Sequence, residues 1–257
     1  MKLLIAVPSK ARAQFLLKYT WAWLQQLPYD KRIFVETQDY DSYCQAGFEP
    51  WLQVMPECDQ GLGYALTQIQ AAAQGYDLIF RVDDDVQSWS RGHGDPESVA
   101  HSVELISTAL ESDILPTLEQ YPHLAGITFD YLHFRRIHPD PNKKWIFYSR
   151  FRGQYVIKRD WFTPHANISA LEDVYMTARI WANGGMTACY VPVAQRPNMN
   201  TLPGGMQAAV LRRAETHERT KQLIHQLFPL MDASPSGLDT WRRALRKAAR
   251  QGIADGA

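Results

Sequence analysis

The segment Leu78-Ile79-Phe80-Arg81-Val82-Asp83-Asp84-Asp85 joins an apolar strand pattern directly to three consecutive carboxylates. Side chains alternate along an extended backbone, so Asp83 and Asp85 are predicted to share one face and Asp84 to occupy the other. A divalent cation with oxygen ligands neutralises such adjacent carboxylates and also binds phosphates. The segment therefore predicts a metal–phosphate site at the carboxyl end of a sheet, where open α/β folds bind their ligands. The alternative is a solvated acidic turn after a buried strand.

The composition is that of a globular chain with no overall charge. Its 257 residues include 27 acidic and 27 basic side chains, which gives a formal net charge of zero. This length fits one α/β domain with elaborations, and neutrality leaves only local patches as contacts for a polyanion. The three cysteines (Cys44, Cys58 and Cys189) lack metal-ligand spacing and are typical of a reducing compartment. Without a signal-peptide pattern or an apolar run of membrane-spanning length, we expect a cytoplasmic protein that contacts no membrane.

Strand-like and helix-like patterns alternate through much of the chain. Apolar runs predict strands at 3–7, 32–36, 51–55, 78–82, 125–130, 145–148, 154–157 and 187–191. Helical spacing predicts helices at 15–27, 61–74, 98–110 and 170–183. Strands that alternate with helices favour an α/β fold whose mainly parallel, doubly wound sheet is flanked by helices, and the second half is richer in strands.

A glycine pair begins the second predicted helix, in Gly61-Leu62-Gly63-Tyr64. A glycine at a helix start lets the backbone approach a ligand closely and leaves amide groups facing it. The pattern lacks the third glycine of the dinucleotide-binding fingerprint and the Gly-Lys-Ser or Gly-Lys-Thr of a P-loop. Gly63 is therefore a candidate ligand contact, and a plain turn before a helix is the alternative.

The order of these elements resembles that of the GT-A nucleotide-sugar glycosyltransferases over most of residues 3–195. The matching pieces are the first strand with Pro8-Ser9, the Gly61-Leu62-Gly63 turn, Asp83-Asp84-Asp85, and Leu171-Glu172-Asp173-Val174 before a helix that ends in Asn183-Gly184-Gly185. The resemblance implies a GT-A, Rossmann-like catalytic domain at 1–195, divided into a nucleotide-sugar-binding half at 1–90 and an acceptor half at 91–195. Residues 196–257 would form a lid loop and a basic helical tail packed on the same domain.

The resemblance also implies how a nucleotide-sugar donor, with a UDP-sugar expected first, would be held. Asp85 would be the most direct ligand of a Mn²⁺ or Mg²⁺ ion on the diphosphate, and Asp83 would bind the ribose or complete the metal shell. The residues implied in nucleotide-sugar binding are Pro8, Ser9, Lys10, Arg12, Glu36, Gly63, Asp83 and Asp84. His217 lies near the region that often adds a metal ligand in this family, but no pattern confirms it and it is not included.

Glu172 and Asp173 stand at the start of the last predicted helix. Sugar transfer needs a base that takes the proton of the acceptor hydroxyl, and a carboxylate can serve. In inverting members of the resembled family a carboxylate at this helix start is the base, which implies Asp173 or Glu172 as the catalytic residue. Acidic residues in a first helical turn also complement the helix dipole without any catalytic role, and retaining chemistry stays open.

Two basic stretches are candidate contacts for an acceptor such as DNA. One alternates with aromatic residues and the other lies in the tail; the candidates are Arg135, Arg136, Lys143, Lys144, Arg150, Arg152, Arg242 and Arg246. Basic and aromatic side chains together suit phosphate contacts and base stacking, and solvated helix and sheet faces are the alternative. Residues 196–207 contain two prolines and Gly204-Gly205, which suits a mobile lid or an ordinary surface connection.

A narrower resemblance concerns the acceptor. The combination of Ile5-Ala6-Val7-Pro8-Ser9-Lys10, the three aspartates and Pro203-Gly204-Gly205 is similar to the TET-associated glycosyltransferases of bacteriophages, which add sugars to 5-hydroxymethylcytosine in DNA. This resemblance implies a metal-dependent hexosyltransferase that modifies DNA, in the host cytoplasm if it is phage-encoded. The alternatives are a glycosyltransferase for a glycan, protein or small molecule, and a non-catalytic nucleic-acid-binding module. A nucleotidyltransferase or nuclease would need further carboxylates around two metal ions.

Overall fold

The computed structural model describes residues 1–91, 98–131, 143–168, 171–197, 218 and 221–222. Several features predicted from the sequence lie outside these residues. They are Arg135, Arg136, the lid beyond Pro197, His217, and the tail with Arg242 and Arg246.

The described residues contain one mixed sheet of nine strands. The strands are β1 (Leu3–Pro8), β2 (Asp30–Glu36), β3 (Leu52–Met55), β4 (Leu78–Arg81), β5 (Val86–Ser90), β6 (Leu124–Tyr131), β7 (Trp145–Phe147), β8 (Tyr155–Lys158) and β9 (Met186–Pro197). Their order is β3-β2-β1-β4-β8-β6-β9-β5, and β7 pairs with β9. Six strands (β1 to β4, β6 and β9) run in one direction, which confirms the predicted mainly parallel sheet.

Seven α-helices flank this sheet in the described part of the chain. They are α1 (Ala13–Lys18), α2 (Thr20–Leu24), α3 (Tyr40–Gln45), α4 (Leu62–Ala72), α5 (Val99–Thr108), α6 (Leu115–Gln120) and α7 (Glu172–Ala182). A π-helical segment at Ala109–Ile114 joins α5 to α6, so this helical stretch is longer than the predicted helix at 98–110. None of the helices described is long and apolar enough to cross a lipid bilayer.

Both faces of the sheet are covered, and each bears its own core. Leu3, Ile5 and Val7 of β1 pack on one face, in a cluster that includes residues of α1, α2 and α5. Leu4 and Ala6 point to the opposite face, where the cluster includes residues of α4 and α7. Burial on both faces explains why β1 is a continuous apolar run instead of an alternating pattern.

Two predicted elements differ from the structure, and the strand β5 and the helix α3 were not predicted. The predicted helix at 15–27 is two short helices, because the backbone breaks at Tyr19 (φ −107°, ψ −85°). The strand predicted at 187–191 extends to Pro197, because its last residues pair with β5. Arg196 and Pro197 therefore belong to the sheet and not to the predicted lid loop.

Candidate active site

Charged side chains from distant parts of the sequence meet at the carboxyl end of the parallel strands. The strands β1 and β4 are parallel neighbours, so the loop after β1 and the turn after β4 lie side by side. The Ser9 N–H donates a hydrogen bond of 3.0 Å to the Phe34 carbonyl oxygen, which fixes the loop against β2 as well.

The three aspartates lie beyond the strand, because β4 ends at Arg81. Their burial nevertheless alternates as predicted, because Asp84 is buried whereas Asp83 and Asp85 are half-buried. Asp84 and Asp85 both approach the Arg12 guanidinium, with carboxylate oxygens 3.1 and 3.7 Å from its Nη1. Asp83 instead contacts Arg81, at 2.6 Å.

Thr20 holds this aspartate turn in place. Its hydroxyl donates to the Asp83 carbonyl oxygen at 2.8 Å and accepts the Val86 N–H at 2.9 Å. Thr20 is the first residue of α2 and is fully buried. The predicted long helix thus breaks just before Thr20, whose side chain forms hydrogen bonds to the backbone of the aspartate turn.

Asp84 is buried and saturated by groups of the chain itself. It accepts a hydrogen bond of 2.6 Å from the Ser9 hydroxyl and pairs with Arg12. The Tyr43 hydroxyl lies 2.5 Å from the Ser9 Oγ and accepts the Arg12 N–H at 3.2 Å. Asp84 therefore joins the loop after β1 to the aspartate turn through Ser9 and Arg12.

Glu36, at the end of β2, forms an ion pair with Lys10, as Asp84 does with Arg12. Its Oε2 lies 2.9 Å from the Lys10 ammonium, and it also accepts hydrogen bonds from the Gln38 amide and the Asp59 N–H. Lys10 contacts the exposed carboxylate of Asp59 too. Glu36 is almost fully buried, whereas about a third of Lys10 is exposed, so Lys10 is the side chain of this pair that a ligand can reach.

Arg81 and Gln154 are site residues that the sequence analysis missed. The Arg81 Nη2 lies 2.6 Å from Asp83 Oδ1 and 3.9 Å from Glu172 Oε1. Gln154 is fully buried, donates to Asp83 Oδ2 at 3.1 Å and accepts the Asp83 N–H at 2.8 Å. Arg81 could have been singled out from the sequence, because it is an arginine within an apolar strand. No sequence pattern indicated Gln154.

Asp85 is the candidate direct metal ligand, a half-buried carboxylate that follows Asp83 and Asp84. Burial, and then the charges of Asp83 and Asp84, raise the pKa of Asp85 to about 7, so its ionised form lacks sufficient positive charge nearby. No three ligating His, Cys, Asp or Glu side chains come together in the described part of the chain. An ion here would take Asp85 and Asp83 from the protein and complete its shell with phosphate oxygens and water, as Mg²⁺ commonly does.

Glu172 and Asp173 form the acidic first turn of α7. Burial, and next the charge of Asp173, raise the pKa of Glu172 to about 7, although Arg81 opposes this shift. Burial also raises the pKa of Asp173, against the opposing effect of Arg150, whose Nε is 3.9 Å from Asp173 Oδ2. A carboxylate with a raised pKa is better suited to accept a proton near neutral pH.

The glycine pair has a packing role. Gly61 adopts φ +84°, a conformation that glycine tolerates without strain. A Cβ atom on Gly63 would lie too close to the carbonyl oxygens of His165, Ala166 and Ile168. The close approach predicted for Gly63 is thus made by the chain's own backbone, and this packing accounts for the glycine without a ligand.

Most of the described basic candidates are paired with carboxylates. The Arg152 Nη1 lies 2.6 Å from Asp130 Oδ1, and the Lys144 ammonium lies 2.7 Å from Asp113 Oδ1. Lys143 is exposed. These pairs leave less free positive charge on this surface than the sequence suggested.

Known proteins resemble this chain in structure. No protein-family model matches the sequence, and no curated protein matches it significantly. The structure of S. aureus TarS 1-349 matches with a TM-score of 0.51 and 12% identity, over 87% of this chain and 64% of that chain. The mannosyltransferase PcManGT from Pyrobaculum calidifontis, in complex with GDP-Man and Mn²⁺, matches with a TM-score of 0.53 and 14% identity, over 88% and 64%. GalNAc-T7 with UDP, GalNAc and Mn²⁺ matches with a TM-score of 0.50 and 11% identity, over 77% and 44%.

The chain has the GT-A, Rossmann-like fold that the resemblance implied. At 11% to 14% identity the likeness is one of fold. The chain spans less than two thirds of the length of these solved structures.

Proposed function

We propose that this chain is a metal-dependent glycosyltransferase, which moves a sugar from a nucleotide-sugar donor, with a UDP-sugar as first candidate, to an acceptor hydroxyl. One observation carries the proposal: Arg81 contacts both Asp83 in the aspartate turn and Glu172 at the start of α7. Transfer needs a binding site for a diphosphate beside a base for the acceptor. In this structure the two candidate groups lie within reach of one arginine side chain.

The nucleotide-sugar donor is assigned to the carboxyl ends of β1, β2 and β4. Asp85, with Asp83, would hold a Mn²⁺ or Mg²⁺ ion, and such an ion neutralises negative charge on a departing diphosphate. Lys10 and Arg12 supply positive charge on the loop after β1, each held by a buried carboxylate. Pro8 and Ser9 complete this loop.

Asp173 is assigned as the base that takes the proton of the acceptor hydroxyl. The acceptor oxygen forms a bond to the anomeric carbon while the bond from that carbon to the diphosphate oxygen breaks, and the diphosphate leaves with the electron pair. Asp173 Oδ2 is the oxygen that takes the acceptor proton, because Oδ1 already accepts the Val174 N–H at 2.8 Å. A single displacement of this kind inverts the anomeric configuration.

The acceptor that we propose is 5-hydroxymethylcytosine in DNA, in the cytoplasm of a host cell. Arg150 supports this choice, because it is a partly exposed cation beside Asp173, and a cation near the proposed base suits a DNA phosphate. Lys143 is a second exposed cation for the DNA backbone. The pairing of Arg152 and Lys144 with carboxylates means that DNA contacts by these two side chains require an exchange of partners.

The domain organisation that follows has the catalytic domain at 1–195. We propose that residues 1–90 hold the nucleotide sugar and that residues 91–195 hold the acceptor, with residues 196–257 as a lid and tail. The pairing of β4 with β8 supports one continuous unit, since it joins the two halves within a single sheet.

A transfer assay with two kinds of DNA tests the function and the acceptor together. The protein, Mn²⁺ and a panel of nucleotide sugars are incubated with DNA that contains cytosine or 5-hydroxymethylcytosine, and the nucleosides are analysed by mass. We expect a hexose-sized gain on the modified base alone, lost in Asp85→Ala and retained in Glu104→Ala, an exposed position on α5.

The other outcomes assign other functions. Metal-dependent hydrolysis of a nucleotide sugar without transfer to DNA would keep the glycosyltransferase and move the acceptor to a glycan, a protein or a small molecule. DNA binding with neither transfer nor hydrolysis would contradict the enzyme and favour a non-catalytic nucleic-acid-binding module.

A further inference from the structure

Arg81 is a charged residue in a position that normally holds an apolar one. It is the last residue of β4 and only 2% exposed. Because side chains alternate along a strand, Arg81 lies on the same face as Ile79, which belongs to the core cluster that includes residues of α7. A buried guanidinium costs several kcal/mol of desolvation unless well-placed partners compensate for it.

The compensating partners come from three separate segments. The Arg81 Nη2 contacts Asp83 in the aspartate turn and Glu172 in the first turn of α7. The Arg81 Nη1 donates a hydrogen bond of 2.8 Å to the Gly153 carbonyl oxygen, just before β8. The guanidinium also lies 6.0 Å from the ring centre of Tyr155, its partner across the β4–β8 pair.

We propose that Arg81 is a positioning residue for sugar transfer, because it fixes the first turn of α7 relative to the aspartate turn. The inference rests on the proposed function. Glu172 and Asp173 are consecutive, so a displacement of the Glu172 carboxylate also displaces the proposed base. A misplacement of about 1 Å in a reacting group can lower a rate about 100-fold.

The contacts use two nitrogens of the guanidinium. The planar guanidinium presents Nη1 to the Gly153 carbonyl oxygen and Nη2 to two carboxylates at once. A lysine keeps the charge but has one nitrogen on a flexible stem, so it cannot reproduce this arrangement. Arg81→Lys therefore separates the loss of positioning from the loss of charge.

A kinetic comparison tests the role in transfer. We expect Arg81→Lys to lower kcat at least about tenfold while the KM for the nucleotide sugar changes less than about threefold. In the Arg81→Lys background, Glu172→Gln should cause little further loss of kcat, because the contact is already broken. The matched control is Arg159→Lys, an exposed arginine paired with Asp160, which should keep the wild-type kcat.

Two kinetic results would overturn the inference. One is a wild-type kcat in folded Arg81→Lys. The other is a Glu172→Gln loss that is fully additive with the Arg81→Lys loss, since independent effects add.

Hydrogen exchange provides a second test that needs no activity. We expect the amides of residues 82–86 and 172–178 to exchange about tenfold faster in Arg81→Lys, and those of β2 to be unchanged. Unchanged exchange in both segments, or a uniform increase throughout the chain, would contradict positioning by Arg81. If the wild-type protein neither transfers nor hydrolyses a nucleotide sugar, the proposed function fails, and the exchange result still decides whether Arg81 orders these two segments.

Discussion

The Ser9 hydroxyl donates a hydrogen bond of 2.6 Å to the buried carboxylate of Asp84, and this contact joins the loop after β1 to the turn after β4. Both segments follow neighbouring parallel strands. The carboxylate also pairs with Arg12, whose side chain is 10% exposed. The two segments of the proposed nucleotide-sugar site thus have a common buried anchor.

Loss of this anchor should be costly for folding. We expect Asp84→Ala to lower the free energy of unfolding by about 3–5 kcal/mol, because it removes the carboxylate from a buried ion pair. Urea unfolding followed by circular dichroism measures the change. Asp160→Ala is the control, since its exposed ion pair with Arg159 should contribute less than about 1 kcal/mol. Equal losses in the two variants would contradict an anchoring role for Asp84.

Asp85, unlike Asp84, should contribute little to stability and much to metal binding. Its carboxylate is crowded by Asp83 and Asp84, so Asp85→Asn should leave the free energy of unfolding of the metal-free protein unchanged or raise it. The same variant should weaken Mn²⁺ binding at least about tenfold, measured by calorimetry in the presence of UDP. Undiminished Mn²⁺ binding would remove Asp85 from the metal site.

Asp173→Asn should slow the chemical step without weakening the binding of the nucleotide sugar. We expect kcat to fall at least about 100-fold, the usual contribution of a general base, while the dissociation constant of the nucleotide sugar changes less than about twofold. Single-turnover kinetics and calorimetry give the two quantities. Glu104→Gln, an exposed change on α5, is the control. An active Asn variant would rule out Asp173 as the base.

The raised pKa of Glu172 predicts a pH dependence of stability. Its pKa in the folded protein is about 7, against an ordinary value of 4.5. Between these two pH values the unfolded chain has lost this proton while the folded chain retains it. The stabilisation is therefore complete below about pH 4.5 and is lost as the pH rises through about 7. Urea unfolding from pH 4 to 8 should show a smaller loss in Glu172→Gln than in the wild-type protein, because Asp85 and Asp173, whose pKa values are also raised, still contribute in the variant. Parallel curves for the two proteins would contradict the assignment.

The packing at Gly63 predicts that a side chain at this position destabilises the protein even when no ligand is bound. Gly63→Ala should lower the free energy of unfolding by about 1–3 kcal/mol or more, because the new methyl group meets the carbonyl oxygens of His165 and Ile168. Thermal unfolding measures the change, and Ala71→Ser, exposed on the same helix, should change it by less than about 0.5 kcal/mol. A fully stable Gly63→Ala variant would mean that the loop accommodates a side chain.

The sequence predicted the parts of the fold that depend on local pattern. The strands β1 to β4 are short apolar runs that helices or loops separate, and both faces of the sheet are covered, so their pattern was distinct. β5 was missed because it contains two buried serines, Ser88 and Ser90, and its partner β9 lies far along the chain. The extension of β9 to Pro197 depends on the same pairing and was missed for the same reason.

The candidate site also has a part that was predictable from the sequence and a part that was not. Residue types were sufficient to single out the aspartates and the pair at the start of α7, although their catalytic and binding roles stay predictions. The burial of Asp84 between half-buried Asp83 and Asp85 agrees with the predicted alternation, although β4 ends at Arg81. Its partners Ser9 and Arg12 were not predictable, because they come from the loop after β1. Gln154 reaches Asp83 only because β8 pairs antiparallel with β4, a relationship that no local pattern contains.

The partners of Arg81 also have consequences for biosynthesis. Asp83 follows Arg81 at once, but Glu172 is added about ninety residues later, which at ribosomal speed is roughly 5–20 seconds. Until β8 (Tyr155–Lys158) has been translated, the nascent chain has β1 to pair with β4 but not β8, and α7 follows later still. The unpaired edge of β4 is then open to other chains, so translation of residues 82–158 is a stage at which this protein is exposed to misassociation.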